Sequence, residues 1–166
     1  MGVEKTRLPW ELAIVDRGAL PVSPPLTLAA PRRLILAPVT YRKLRFSVLG
    51  GSYAVCKLPP GAPLPAWVLR RPLASVTRTA DELSVVCPLD DVPDGTKFVG
   101  PWSGIKLEGP FSFDQVGVLV SALGPLALAG IPIFAVSTFD TDYVLVRASH
   151  LAQAIAALKD AGHEAL

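Results

Sequence analysis

The pattern of apolar and polar residues predicts a helix followed by a β-hairpin in the second half of the chain. Apolar residues recur at helical spacing over residues 116–127, and Gly130 is placed to end this helix. Pro125 falls late in the helix and is expected to kink or tighten it. Residues 131–139 and 142–147 have strand character and are joined by an Asp-Thr-Asp turn.

Further elements are predicted on both sides of this segment. A strand is expected at residues 102–109, and Ser112 or Asp114 could cap the helix that follows it. A final helix is expected to begin with Ser149 as its cap, and residues 163–166 are expected to form a last strand. The resulting order, β-α-β-β-α-β, is that of a ferredoxin-like unit.

An internal repeat extends the prediction toward the N-terminus. Residues 73–86 align without a gap on residues 134–147, and this alignment matches Asp81 to Asp142. The match also keeps the apolar positions of the two segments in phase. A second hairpin is therefore predicted in the first half of the chain.

The repeat also includes the strand that comes before each hairpin, because the segment after Tyr53 aligns on the segment after Trp102. In the first copy the next connection is shorter, with room for about one to two helical turns. The sequence predicts an α+β protein of two fused ferredoxin-like (βαββαβ) units. The first, residues 44–100, is trimmed and the second, residues 101–166, is complete, after an N-terminal extension, residues 1–43, of unknown role.

Composition and charge exclude several classes of protein. The chain is 51% apolar and 18% charged, which is typical of a globular protein. Residues 1–45 hold eight Lys or Arg against three Asp or Glu, while residues 46–166 hold eight against eleven. The folded part is acidic, so nucleic-acid binding is not expected. The uncharged residues 116–139 contain several Gly and Pro and predict a buried helix and strand of a soluble protein rather than a membrane span.

Few residues have the pattern of a catalytic or metal site. Cys56 and Cys87 lie in strand-like segments and are expected to be buried apolar side chains in a reducing, cytoplasmic setting. His150 and His163 are expected at the surface. Neither a nucleophile elbow nor a phosphate-binding loop is present, so no catalytic residue, metal or cofactor is predicted.

Two segments of the second unit carry candidate binding chemistry. The loop from Glu108 to Gly117 offers a carboxylate, glycines that allow close approach of a ligand, and the free N–H groups of a helix start, which favour an anion. In the following turn Asp142 could pair with an ammonium group, whereas Asp140 and Thr141 suit a plain turn. The alternative is a capped helix and a solvated turn without a ligand.

The segment from Lys106 to Val146, KLEGPFSFDQVGVLVSALGPLALAGIPIFAVSTFDTDYVLV, closely resembles the second half of tandem ACT-domain proteins. This is the type found in small bacterial amino-acid-binding proteins and in the CASTOR arginine sensors of animal cells. The first copy, which ends TRTADELSVVCP, resembles a degenerate ACT partner unit. The resemblance implies a non-catalytic regulatory or sensor module that binds a free amino acid where two ACT units meet.

The resemblance also implies a set of ligand-binding residues. They are Glu108, Gly109, Gln115, Val116, Gly117, Ser137, Thr138, Phe139 and Asp142. In this interpretation the helix-start amides bind the ligand carboxylate, Asp142 binds the α-ammonium group, and Thr138 and Phe139 form walls.

The family implies partners as well as a ligand. The animal sensors resemble four such units in one chain, so two copies of this chain are expected to form a homodimer. A regulated protein partner is expected, and Glu108 makes a basic amino acid an option for the ligand. Two other functions stay open: a ligand-free dimerisation module whose pocket is filled by Phe111 and Phe139, and a detached regulatory subunit of a biosynthetic enzyme such as aspartate kinase.

Overall fold

The structure, a computed structural model, describes residues 42–69 and 73–166. Residues 1–41 of the predicted N-terminal extension lie outside the described residues. The strands are β1 (Arg45–Val48), β2 (Tyr53–Leu58), β3 (Ser75–Arg78), β4 (Leu83–Pro88), β5 (Phe98–Leu107), β6 (Ile133–Ser137), β7 (Asp142–Arg147) and β8 (Glu164–Ala165). The α-helices are α1 (Val118–Leu128) and α2 (Leu151–Asp160), and short 3₁₀ helices span Ala66–Leu69, Leu89–Asp91 and Ala148–His150.

The predicted α+β class with ferredoxin-like units is confirmed. Strands and helices from β5 to β8 follow the order β-α-β-β-α-β. In the first unit the 3₁₀ helix at Ala66–Leu69 stands where α1 stands in the second, and the one at Leu89–Asp91 follows β4 in place of a full second helix. The first unit is therefore the trimmed one, as the short, proline-interrupted segments predict.

Both predicted helix caps are wrong. The N-cap of α1 is Gly117, at φ 84°, and the N-cap of α2 is His150; neither residue makes a side-chain capping bond. Ser112 donates its hydroxyl hydrogen to Asp114 instead, within a turn that ends before the helix begins. The left-handed conformation at residue 117 favours glycine, which lets the chain turn sharply into α1.

The alignment of the two hairpins is also corrected. The last pair before the turn is Arg78 with Leu83 in the first hairpin and Ser137 with Asp142 in the second. Asp81 is thus equivalent to Asp140, not to Asp142. A slip of two residues keeps every side chain on the same face of a strand, so the apolar pattern does not reveal the error.

The units share one eight-stranded sheet. Strand β5 is long enough to serve both: its first half pairs antiparallel with β2, and its second half lies between β1 and β7. Strand β1 also pairs in parallel with β8, so it lies between β5 and β8.

The core lies mainly between the sheet and the helices. Beneath the helices of the second unit it includes Phe46 of β1 together with Ile105, Leu107, Leu126 and Leu158, all at most 1% exposed. Burial of such side chains stabilises the fold by about 1.5–3 kcal/mol each. In the first unit Cys56 and Cys87 are buried around Val68, which confirms the interpretation of the cysteines as buried apolar side chains.

Two other expectations concern exposure. His163 was expected at the surface but is only 5% exposed, which corrects that prediction, while His150 is half-buried. In the described part of the chain, no helix is both long and apolar enough to cross a membrane.

Candidate ligand-binding site

A cleft of about 530 Å³ lies between the start of α1 and the turn that joins β6 to β7. One wall comes from the loop at residues 111–117 and from the first turn of the helix, and the other from residues 137–142. Seven of the predicted binding residues line it: Gln115, Val116, Gly117, Ser137, Thr138, Phe139 and Asp142. The structure thus brings together a loop and a turn that are about twenty residues apart in the sequence.

Glu108, the eighth predicted residue, does not line this cleft. Its carboxylate accepts hydrogen bonds from Ser47 Oγ at 2.6 Å and from Lys106 Nζ at 3.0 Å. The hydrogen bond from Ser47, and then the one from Lys106, hold the pKa of Glu108 below its usual value. This carboxylate is already paired inside the protein, so its geometry gives no support to a role in binding a cationic ligand.

Gly109, the ninth predicted residue, does not line this cleft either, and the packing of the loop explains why residue 109 is a glycine. A Cβ atom at this position would lie 2.4 Å from the backbone oxygen of Asp140, closer than any side chain allows. The close approach lets the Phe111 N–H donate to the Asp140 oxygen at 2.8 Å, and the Thr141 hydroxyl donates to the Leu107 oxygen nearby. Gly109 therefore fastens the loop to the turn, and it borders a second cavity beside Lys106 and Tyr143.

The turn at residues 138–141 is held by hydrogen bonds of its own. The backbone N–H and the hydroxyl of Thr138 both donate to the Thr141 oxygen, each at 2.8 Å. The Thr141 N–H donates to the Thr138 hydroxyl at 3.3 Å. These bonds fix the backbone just before Asp142, so that its carboxylate projects from the first residue of β7.

Asp142 has a single protein partner within the described residues, since the Ser137 hydroxyl donates to its Oδ1 atom. The charged residues that line the cleft are Asp142 and Asp140. The cleft therefore carries negative charge along the turn and favours a ligand with an ammonium group there.

The opposite wall has the reverse polarity. No side chain caps α1, and Gly117 and residues 118–120, which carry the first N–H groups of the helix, line the cleft. Such groups carry a partial positive charge and favour a carboxylate or another anion. The two walls together are complementary to a zwitterion.

Apolar side chains surround the mouth of the cleft. Phe113 and Phe139 are 80% and 77% exposed, and their rings meet edge to face with centroids 5.1 Å apart. Val116 is 88% exposed and Val120 is 52% exposed. We call these four residues the apolar rim. Exposed apolar side chains clustered around a cleft are typical of an interaction surface.

The sequence did not identify every lining residue. Phe113 and Val120 line the cleft but were not predicted. Val120 lies in the first turn of α1, three residues after the predicted Gly117, so its place near the helix start could have indicated it. For Phe113 no pattern was available, because it lies in an irregular loop. Within residues 42–69 and 73–166 no group of three or more His, Cys, Asp or Glu side chains could hold a metal ion.

Two protein-family models match different parts of the chain. The family model of the ACT domain matches residues 98–160, and a model of the N-terminal domain of another protein family matches residues 51–95. The Agrobacterium tumefaciens protein Atu0741 is 41% identical over 75% of this chain and 93% of its own, with a TM-score of 0.72.

Two more distant structures share the fold. A Vibrio cholerae protein of unknown function, described as a possible transport protein, is 20% identical over 72% of this chain and 90% of its own, with a TM-score of 0.60. The Clostridium acetobutylicum aspartate kinase is 10% identical over 66% of this chain and 33% of its own, with a TM-score of 0.50. At these identities the likeness concerns the fold alone.

Proposed function

This chain is an ACT-domain protein of the same family as the Agrobacterium tumefaciens protein, and from that premise we propose that it is a non-catalytic regulatory protein that binds a free amino acid. The ligand lies in the cleft between the start of α1 and the turn before β7. One observation carries the proposal: the cleft sets the uncapped start of a helix opposite the carboxylate of Asp142.

Each end of an amino acid has a partner in this cleft. The α-carboxylate accepts hydrogen bonds from the first N–H groups of α1, while the α-ammonium group pairs with Asp142. A volume of about 530 Å³ is within the usual range for small-molecule sites. Since Asp140 adds a second negative charge, a basic or neutral amino acid fits better than an acidic one.

A second copy of the chain completes the site in this proposal. The cleft is open, and the apolar rim leaves Phe113, Val116 and Phe139 more than three-quarters exposed. Burying these side chains against another protomer removes apolar surface from water and closes the cleft over the ligand. A ligand that binds the closed pair better than the open one shifts this equilibrium and so signals to a regulated protein partner.

The test is thermal unfolding of the purified protein with each of the twenty amino acids at millimolar concentration. A ligand that binds only the native state raises the melting temperature. We expect a selective rise that Asp142→Asn abolishes and that the matched variant Asp140→Asn retains. The proposal is wrong if Asp142→Asn leaves the response intact.

One other function has its own support. The rings of Phe113 and Phe139 meet at the mouth of the cleft, which suits a ligand-free dimerisation module, although the partner of Phe139 is Phe113 and not the Phe111 that the sequence suggested. A flat response to all twenty amino acids from a well-folded dimer would favour this alternative.

A further inference from the structure

Pro125 leaves a gap in the hydrogen bonding of α1. Residue 125 would normally donate its N–H to the backbone oxygen of Ser121, but proline has no N–H. The His163 side chain fills the gap, because its Nε2 atom lies 2.9 Å from the Ser121 oxygen. A carbonyl oxygen can only accept, so Nε2 carries the proton.

The other ring nitrogen connects the helix to the start of β1. The Leu44 N–H donates to His163 Nδ1 at 3.2 Å, and the Leu44 oxygen accepts from the Glu164 N–H at 2.9 Å. Leu44 and His163 are each 5% exposed, so water cannot replace a bond that is lost here. The imidazole therefore bridges α1 and the backbone at residue 44 in its neutral form.

Ser121 makes a second bridge between the same two segments. Its hydroxyl donates to the Gly117 oxygen at 2.7 Å and accepts from the Arg42 N–H at 2.9 Å. Its backbone N–H also donates to the Gly117 oxygen, at 3.0 Å. Ser121 is 2% exposed. The hydroxyl thus connects residue 42 with Gly117, the N-cap of the helix that lines the cleft.

We propose that Ser121 and His163 are positioning residues for the cleft. Together they form a clamp, defined by Arg42, Leu44, Gly117, Ser121 and His163, that fixes the first turn of α1 to the backbone at residues 42–44. A displacement of that backbone lengthens both bridges and moves the helix start, so the position where residues 1–41 join the fold is coupled to the cleft. The consequence for a ligand rests on the proposed function; the clamp itself does not.

Amide hydrogen exchange of the full chain, followed by NMR without ligand, tests the clamp. His163→Asn keeps an acceptor near Leu44 and removes the donor that reaches Ser121. Because a lost buried hydrogen bond costs about 1–1.5 kcal/mol, we expect exchange of the α1 amides to become about tenfold faster, with β5 and β7 unchanged. Uniform acceleration across the fold, or none in α1, would overturn the proposal.

A rescue variant separates positioning from general destabilisation. Pro125→Ala restores a backbone N–H that can donate to the Ser121 oxygen, so the histidine donor becomes redundant. In that background His163→Asn should change exchange in α1 by less than about threefold. An undiminished effect of His163→Asn would contradict the role assigned to Pro125 and His163.

A variant of the other bridge, Ser121→Ala, tests the clamp if His163→Asn does not fold. Ser121→Ala removes the acceptor of the Arg42 N–H, and exchange at residue 42 should become about tenfold faster, together with the first hydrogen-bonded amides of α1. Gln153→Ala is the matched control, since it removes an exposed side-chain bond to the Ala129 oxygen of the α1 C-cap, at 3.1 Å. Equal effects of these two variants on residue 42 and the start of α1 would overturn the clamp. None of these measurements uses an amino acid, so their failure is distinct from a failure of the proposed function.

Discussion

Tyr53 and Trp102 lie opposite each other where β2 pairs antiparallel with β5. They also hold equivalent positions in the two units, because Tyr53 pairs with Pro88 in β4 as Trp102 pairs with Arg147 in β7. Equivalent residues that face each other across an antiparallel pair are related by an approximate two-fold axis. The fused units are therefore arranged within one sheet much as the subunits of a symmetric dimer would be.

Gly109→Ala should disturb the cleft and the fold together. The added Cβ would lie 2.4 Å from the Asp140 oxygen, so the turn must move away from the loop. We expect a loss of about 1–3 kcal/mol in the free energy of unfolding, measured with urea, and a weaker ligand response. Gly61→Ala is the control, since nothing lies within 4 Å of its Cβ position. Equal losses for the two variants would contradict the explanation.

Some elements could be predicted from the sequence because their signals are local. The helix α1 and the hairpin of β6 and β7 follow from residues that are close together in the chain, and so do the seven cleft residues in the loop and the turn. That the loop and the turn lie close together in space was predicted only from the family resemblance.

Other features depend on partners that are distant in the sequence. The Glu108 carboxylate accepts a hydrogen bond from Ser47, which is 61 residues away in the sequence. The two residues meet because β1 lies beside β5. The buried His163 pairs with the Ser121 oxygen, 42 residues away, which Pro125 leaves without a donor from its own helix. Neither pairing leaves a periodic pattern, so neither could be predicted from the sequence.

The two hairpin turns provide an internal comparison. Thr79 and Thr138 hold the same position, and the hydroxyl of each donates to the oxygen of the residue three positions later, at 3.4 and 2.8 Å. We expect Thr79→Val and Thr138→Val each to lower the free energy of unfolding by about 1 kcal/mol. Only Thr138→Val should also weaken the amino-acid response in thermal unfolding. A similar ligand effect from Thr79→Val would place the site elsewhere.

The cysteines should be unreactive in the native protein. Burial raises the pKa of Cys87 to about 12, with a smaller contribution from the neighbouring Cys56, and burial also raises the pKa of Cys56. Little thiolate is therefore present at pH 8. We expect labelling by a thiol reagent to follow the unfolding rate and to accelerate with denaturant. Rapid labelling of either thiol without denaturant would contradict the burial of this pair.

Glu108→Gln should lower stability in a pH-dependent way. The folded state holds the pKa of Glu108 below its unfolded value, so the stabilisation is present above the unfolded pKa and disappears as the pH falls through the folded one. We expect a loss below about 1 kcal/mol at pH 7 that shrinks below about pH 4. Urea unfolding at pH 7 and pH 3 measures the difference. A loss of unfolding free energy that is larger at pH 3 than at pH 7 would contradict this prediction.

Val116→Glu should weaken association of two copies. Val116 is 88% exposed within the apolar rim, and a charge there would have to be buried or repelled in the pair. We expect sedimentation velocity to show a shift from dimer toward monomer with an unchanged melting temperature at low protein concentration. Leu64→Glu, at a 52% exposed site in the first unit, is the control and should leave association unchanged. A dimer unaffected by Val116→Glu would exclude this surface as the interface.

The place of β1 between β5 and β8 limits how this protein can evolve. A gene segment that encodes only residues 101–166 would lack β1, the neighbour that β5 and β8 share, and it would cut β5 within the half that pairs with β2. Neither unit can be shuffled into another protein without leaving unpaired strand edges in both products. The two units thus form one structural piece, and the sheet depends on the first unit although short 3₁₀ helices stand in place of its α-helices.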